Sequence, residues 1–230
     1  MLQELATERP KVRTNGSPPR RSHLSAHYDA LLQRVLAISA DTAVGQAIGV
    51  TSCAPRAGVS TVAHNLAVTA DRSGYGPVLL LDLDIHKSSS LNRRKPATEY
   101  GLFDALAGTA DPFDCVTPAP RGSFSVVSTR GTNSPDASTI DRGRFAEVLS
   151  EYKRNFKLLV VDIPSALDTN NSVCLASQMD GVLLVIEAER ADGRVALKTK
   201  QQLIDANANL LGVVLNKRRQ HVPGWLYRRL

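Results

Sequence analysis

The chain has 230 residues, 43% of them hydrophobic and 22% charged, with a formal net charge of +6. That length fits one domain with tails and can bury a substantial core. No uninterrupted apolar run approaches the roughly 18 residues that a membrane-spanning helix needs, and the charged N-terminus lacks the apolar stretch of a secretory signal.

Residues 1–22 are rich in Pro, Arg, Thr and Ser and read as a disordered basic tail. The spacing of Leu31, Leu32, Val35 and Leu36 predicts an amphipathic helix over 25–38. A strand at 47–51 is followed by a loop and a helix over 60–72, which Gly74 and Gly76 close. Residues 77–82 (PVLLLD) form an apolar strand of the kind buried in a parallel sheet. A short helix follows at 101–107, then a strand at 123–128, a helix at 142–154 and a second buried strand at 157–162 (KLLVVD). The rest alternates: helix 171–178, strand 181–187, helix 195–206 and strand 210–216. This order predicts a doubly wound, mostly parallel α/β sheet. The expected organisation is the basic tail 1–22, an α/β domain 23–216 and a basic, aromatic tail 217–230.

Residues 51–67, TSCAPRAGVSTVAHNLA, have the strand, loop and helix-start layout of a phosphate-binding P-loop. Such a loop ends in Gly-Lys-[Ser/Thr], so that backbone N–H groups and a lysine cradle phosphate; here the ending is Gly58-Val59-Ser60-Thr61. Ligands of open α/β sheets sit at the carboxyl ends of the strands. Two further strand ends carry acids: Asp82 and Asp84 in LLLDLDIHK, and Asp162 in LLVVDIPSA. In P-loop enzymes an acid after a buried strand holds Mg²⁺ or its waters, and the loop hydroxyl, here Ser60, completes the shell. A helix cap or loop hydrogen bond is the bland alternative for each Asp. His64, on the helix after the loop, reads as a packed or exposed helix residue with no functional role. Cys53, Cys115 and Cys174 lack metal-ligand spacing and read as reduced thiols of a cytosolic protein.

The chain resembles the MinD/ParA-type P-loop ATPases, and within them the cytoplasmic domain of bacterial tyrosine autokinases of polysaccharide export. The resemblance covers roughly residues 25–230. It rests on the loop, on Asp82-Leu83-Asp84, on Asp162-Ile163-Pro164, and on the segments Gly101–Gly108, Met179–Val185 and Leu211–Asn216. It implies an ATP/ADP pocket with Mg²⁺. Gly58, Val59, Ser60 and Thr61 would lie around the phosphates, and Asp82 and Asp84 would flank the attacking group. Ser60 and Asp162 would serve the metal, and Asn216 would meet the adenine, its alternative being a strand cap.

The departures point the other way. The family's loop lysine and its signature lysine five residues earlier are Val59 and Ala54 here, and the basic residue after the paired acids is His86, followed by Lys87. A charged hydrogen bond contributes roughly 1.5–3 kcal/mol, so two losses remove about two to four decades of affinity. The family's C-terminal tyrosine cluster is reduced to Tyr227, and the helix SAHYDALLQRV lacks the family's Glu and spaced Arg residues for ring assembly.

The leading expectation is an autokinase-like pseudoenzyme. It would bind nucleotide weakly or not at all and regulate a membrane polysaccharide co-polymerase, the chain-length determinant, in exopolysaccharide, capsule or holdfast synthesis. The tail KRRQHVPGWLYRRL, with Trp225 and Tyr227 among arginines, would meet that partner or an anionic inner-membrane surface, its alternative being a helix packed on its own domain. One alternative is an active autokinase or ATPase using Arg56 or Lys87 as the cation. Another is a ParA/MinD-like positioning or DNA-partition ATPase; it ranks last because no base-reading motif accompanies the basic charge. A dimer is compatible with each.

Overall fold

A computed structural model of the chain describes residues 23–38, 44–83, 98–120, 122–129, 140–167 and 170–218. In chain order the helices are α1 (His23–Ile38), α2 (Val59–Arg72), α3 (Leu102–Leu106), α4 (Arg142–Asn155), α5 (Asn170–Ala176) and α6 (Gly193–Asp205). The strands are β1 (Gln46–Ser52), β2 (Val78–Asp82), β3 (Thr117–Pro118), β4 (Ser125–Val127), β5 (Leu158–Asp162), β6 (Gly181–Glu187) and β7 (Leu210–Asn216). They form one sheet in the order β3-β4-β2-β5-β1-β6-β7. Every pairing is parallel except that of β3 with β4.

The physical reason lies in the strands themselves. Every residue of β1, β2 and β5 is buried, as expected where helices cover both sheet faces. On one face α1 and α2 pack Leu32, Val35, Val62 and Leu66 against Ile48, Leu80 and Val160. On the other, α3 to α6 contribute Leu102, Phe145, Leu175 and Leu203 against Leu81, Val161 and Leu184. In α2 the buried positions 59, 62, 63, 66, 67 and 70 recur at helical spacing. The aspartates that precede α4 and α6 cap them: Asp141 accepts from the Arg144 N–H and Asp192 from the Arg194 N–H.

The doubly wound, mostly parallel sheet is the one the sequence predicts, with element ends displaced by a few residues at most. Two small features go beyond the prediction, a 3₁₀ turn at Pro112–Cys115 and the two-residue strand β3. Both are too short for any hydrophobic period to show. The turn matters to the core, because the Tyr152 hydroxyl, fully buried, donates to Pro112 O at 2.7 Å.

Candidate functional site

The loop starts where β1 ends, and β1 lies between β5 and β6 in the sheet. Hydrogen bonds fix its base. The Ser52 hydroxyl donates to Ala54 O at 2.7 Å, and the Thr51 hydroxyl donates to Pro164 O at 2.8 Å. The Ala166 N–H donates to Ser52 O at 2.9 Å, so the segment after β5 is stitched to the loop. Cys53, the first loop residue, is buried, and burial pushes its thiol pKa up, which keeps it protonated and unreactive.

At the other end of the loop, Gly58 is the N-cap of α2 with φ of 97°, and no side chain caps the helix. A side chain at Gly58 would be strained by that backbone and would overlap the Asn216 amide. The first N–H groups of a helix have no intrahelical partner, and an uncapped N-terminus favours an anion. Ser60 and Thr61 sit on this first turn, Ser60 half-buried and Thr61 exposed. Val59 is 7% exposed and belongs to the apolar cluster of α1, α2 and the sheet. Ala54 is half-buried. Arg56 adopts φ of 61° and is exposed.

The acids come together on the β2–β5 side. Asp82 and Asp162 end neighbouring parallel strands as register partners, and both are buried. The Leu83 N–H donates to Asp162 O at 3.0 Å, joining the two strand ends beyond the ladder. Asp84, His86 and Lys87 lie outside the described residues, as do the tails 1–22 and 219–230 with Trp225 and Tyr227. Among the described residues no three His, Cys, Asp or Glu side chains converge as a metal cluster would.

On the β6–β7 side the structure brings the sequence-predicted Asn216 to the loop and adds Lys217, Glu187 and Arg190, which sequence reasoning missed. Asn216 Nδ2 donates to Ala57 O at 2.9 Å, so Asn216 reaches the loop itself. Lys217, counted in the sequence as part of a basic tail, donates from Nζ to Arg56 O at 2.6 Å and pairs with Glu187 at 3.2 Å. Arg190 shares that carboxylate at 3.5 Å. The only sequence signal for Lys217 is its place directly after the last strand.

His64 packs edge-on against Phe124, with ring centroids 5.8 Å apart. Its Nδ1 is buried with no hydrogen-bond partner, and burial pushes its pKa down. Of the two structural readings that the sequence leaves open, packed or exposed, this is the packed one. Among the described tyrosines Tyr100 is exposed. Tyr152 is buried, and burial pushes its phenol pKa well up. Tyr28 accepts from Asn65 Nδ2 at 3.4 Å.

No family model matches the chain. Among curated proteins it is 28% identical over 178 residues to the tyrosine-protein kinase CpsD of Streptococcus agalactiae, covering 76% of each. It is 27% identical to the succinoglycan biosynthesis transport protein ExoP of Rhizobium meliloti, covering 74% of this chain but 22% of ExoP. Among solved structures, the chimerical protein CapA2B2 superposes with a TM-score of 0.75 at 26% identity, covering 88% of each chain. The kinase domain of the Escherichia coli tyrosine kinase ETK also gives 0.75, at 23% identity over 87% of this chain and 79% of that one. MinD of Pyrococcus horikoshii OT3, complexed with Mg-ADP, gives 0.62 at 20% identity over 80% of this chain and 76% of that one. The homologues are therefore bacterial tyrosine-protein kinases, and the fold is that of the MinD-like P-loop proteins.

Proposed function

We propose that this homologue of bacterial tyrosine-protein kinases is an accessory protein of exopolysaccharide, capsule or holdfast synthesis. It acts by association with a membrane polysaccharide co-polymerase, at the cytoplasmic side of the inner membrane, and not by phosphoryl transfer. The observation that carries this reading is Val59. Where a P-loop protein places a lysine, this chain packs an apolar side chain into the cluster under α2, and Ala54 supplies no second cation. Transition-state charge on a transferred phosphoryl group would lack its usual stabilisation from the loop. The likeness to about a fifth of a succinoglycan biosynthesis transport protein supports a place beside polysaccharide export machinery.

Nucleotide binding is a separate matter from turnover. The uncapped start of α2 and the glycine at 58 fit a phosphate group, and the paired buried acids fit a hydrated cation. In this reading Gly58, Val59, Ser60 and Thr61 surround the phosphates of ADP or ATP, and Ser60 and Asp162 serve Mg²⁺. Asp82 stands beside them, and Asn216 lies where the base would approach. Bound Mg²⁺ would neutralise phosphate charge.

The retained pair Asp82–Asp162 favours one alternative, a slow ATPase or tyrosine kinase with a non-standard loop. Steady-state MgATP turnover decides between them. The accessory role predicts no turnover above that of a heat-inactivated sample. Turnover that disappears in both Asp82→Ala and Asp162→Ala overturns it.

A further inference from the structure

We propose that Lys217 is the cation of this anion site, supplied from the end of β7 in place of the lysine that position 59 lacks. The proposal rests on the reading of the loop as a phosphate-binding site.

The placement of Lys217 is the first support. Its aliphatic stem runs past Gly58, with Cε 3.9 Å from the point where a Cβ on that glycine would stand. Its ammonium then reaches Arg56 O at 2.6 Å. The charge therefore lies on the loop, beside the residue that precedes Val59. The backbone at Lys217 has φ of 56°, a conformation that non-glycine residues adopt rarely.

The partners of Lys217 are the second support. A neutral carbonyl is a weaker acceptor for an ammonium than a phosphate oxygen. Glu187 is only 14% exposed, yet Arg190 also holds its carboxylate. Lys217 can therefore move to an anion without leaving a nearly buried carboxylate unpaired. Its side chain is 44% exposed, and a lysine is a compact charge on a flexible four-carbon stem, suited to following a ligand. Arg56 has no ion pair or side-chain hydrogen bond among the described residues, and nothing fixes its guanidinium on the loop. The ligand this chemistry recognises is a chain of phosphates, as in a nucleoside diphosphate.

Calorimetric titration of the full chain with inorganic pyrophosphate and with MgADP tests the proposal. Lys217→Gln should weaken binding of both about tenfold or more, the equivalent of one charge-assisted hydrogen bond. Lys217→Arg should stay within about threefold of the unaltered chain, since it keeps the charge. Glu187→Gln separates a ligand cation from a structural strut. It removes the competing carboxylate and should tighten binding by roughly twofold to fivefold, since the Lys217 end of the pair is solvent-exposed. If Glu187→Gln instead weakens binding in parallel with Lys217→Gln, Lys217 only braces the loop and the proposal is overturned. Unchanged affinity in Lys217→Gln also overturns it. So does an unaltered chain that binds neither probe at millimolar concentration, a result that leaves the accessory role standing. Should Lys217→Gln fail to fold, the direction of the Glu187→Gln change decides alone. MgATP turnover by the unaltered chain would overturn the accessory role and leave the assignment of Lys217 intact.

Discussion

Asp82 and Asp162 stand on one flank of the loop with 0% and 3% exposure, whereas Lys217 reaches the other flank with nearly half its side chain in water. The acids are set by the sheet: each is the last residue of a buried strand, and parallel register places one beside the other. The cation is set by a turn and a flexible stem. Charges in the buried flank are little screened by salt, while those on the exposed flank are screened within about 8–10 Å at ordinary ionic strength. In the proposed reading, a site built this way has a rigid side for the metal and an adjustable side for the phosphates.

The change with the largest expected effect strikes the residue between the flanks. Gly58→Ala would put a side chain into the left-handed region and against the Asn216 amide. The backbone costs roughly 1–2 kcal/mol, and losing the Asn216–Ala57 hydrogen bond adds about 1 kcal/mol. Urea denaturation should show the sum, and a loss below about 0.5 kcal/mol would mean that the loop and β7 are not joined as described.

Val59→Lys is next and asks whether the flanks can be made alike. A lysine from α2 itself should raise MgADP affinity about tenfold to a hundredfold. Removing the valine from its apolar cluster should cost about 1–2 kcal/mol of stability. If affinity does not rise, the missing lysine is not what limits binding. In that case the contrast between the retained acids and the lost cation has no functional weight.

A smaller change separates the two roles. Asp162→Asn should reduce the advantage of MgADP over metal-free ADP by roughly fivefold to tenfold, the order expected for weakening one charged contact. Lys217→Gln should lower the affinity of both forms by the same factor. Equal effects of the two variants on both ligands would erase the distinction between a metal-facing and a phosphate-facing flank.

The same contrast explains what could be read from the sequence. KLLVVD and PVLLLD announce buried strands, and an acid ending such a strand must lie at the sheet's carboxyl edge, so Asp82 and Asp162 were legible locally. Their adjacency was not, because β2 and β5 become neighbours only through a crossover in the sheet. Val59 was legible as a missing charge, although not as part of the core under α2. Lys217 was not legible as a site residue. It is 161 residues from its acceptor Arg56, its stem direction depends on a single positive φ, and five basic residues crowd the same stretch of sequence. Glu187 was likewise read only as the end of a strand. Burial patterns encode the rigid flank, while the adjustable flank depends on tertiary contacts that carry no period.

The smallest effect concerns His64, on the helix that both flanks share. Its ring packs against Phe124 with Nδ1 buried and unpartnered, and burial lowers its pKa from the ordinary 6.5. In the falling-pH direction the unfolded chain therefore takes up the proton first. The stability that comes from keeping this histidine neutral is complete above about pH 6.5 and is lost as pH falls toward the lowered folded value. His64→Phe keeps an aromatic ring against Phe124 and removes the titration. Its urea midpoint should fall less than that of the unaltered chain between about pH 7.5 and pH 5.5, the window in which a histidine titrates. Because burial favours the neutral ring in the folded chain, His64→Phe should leave the pH dependence of ADP affinity unchanged, and a changed dependence would mean that the ring titrates in the folded state.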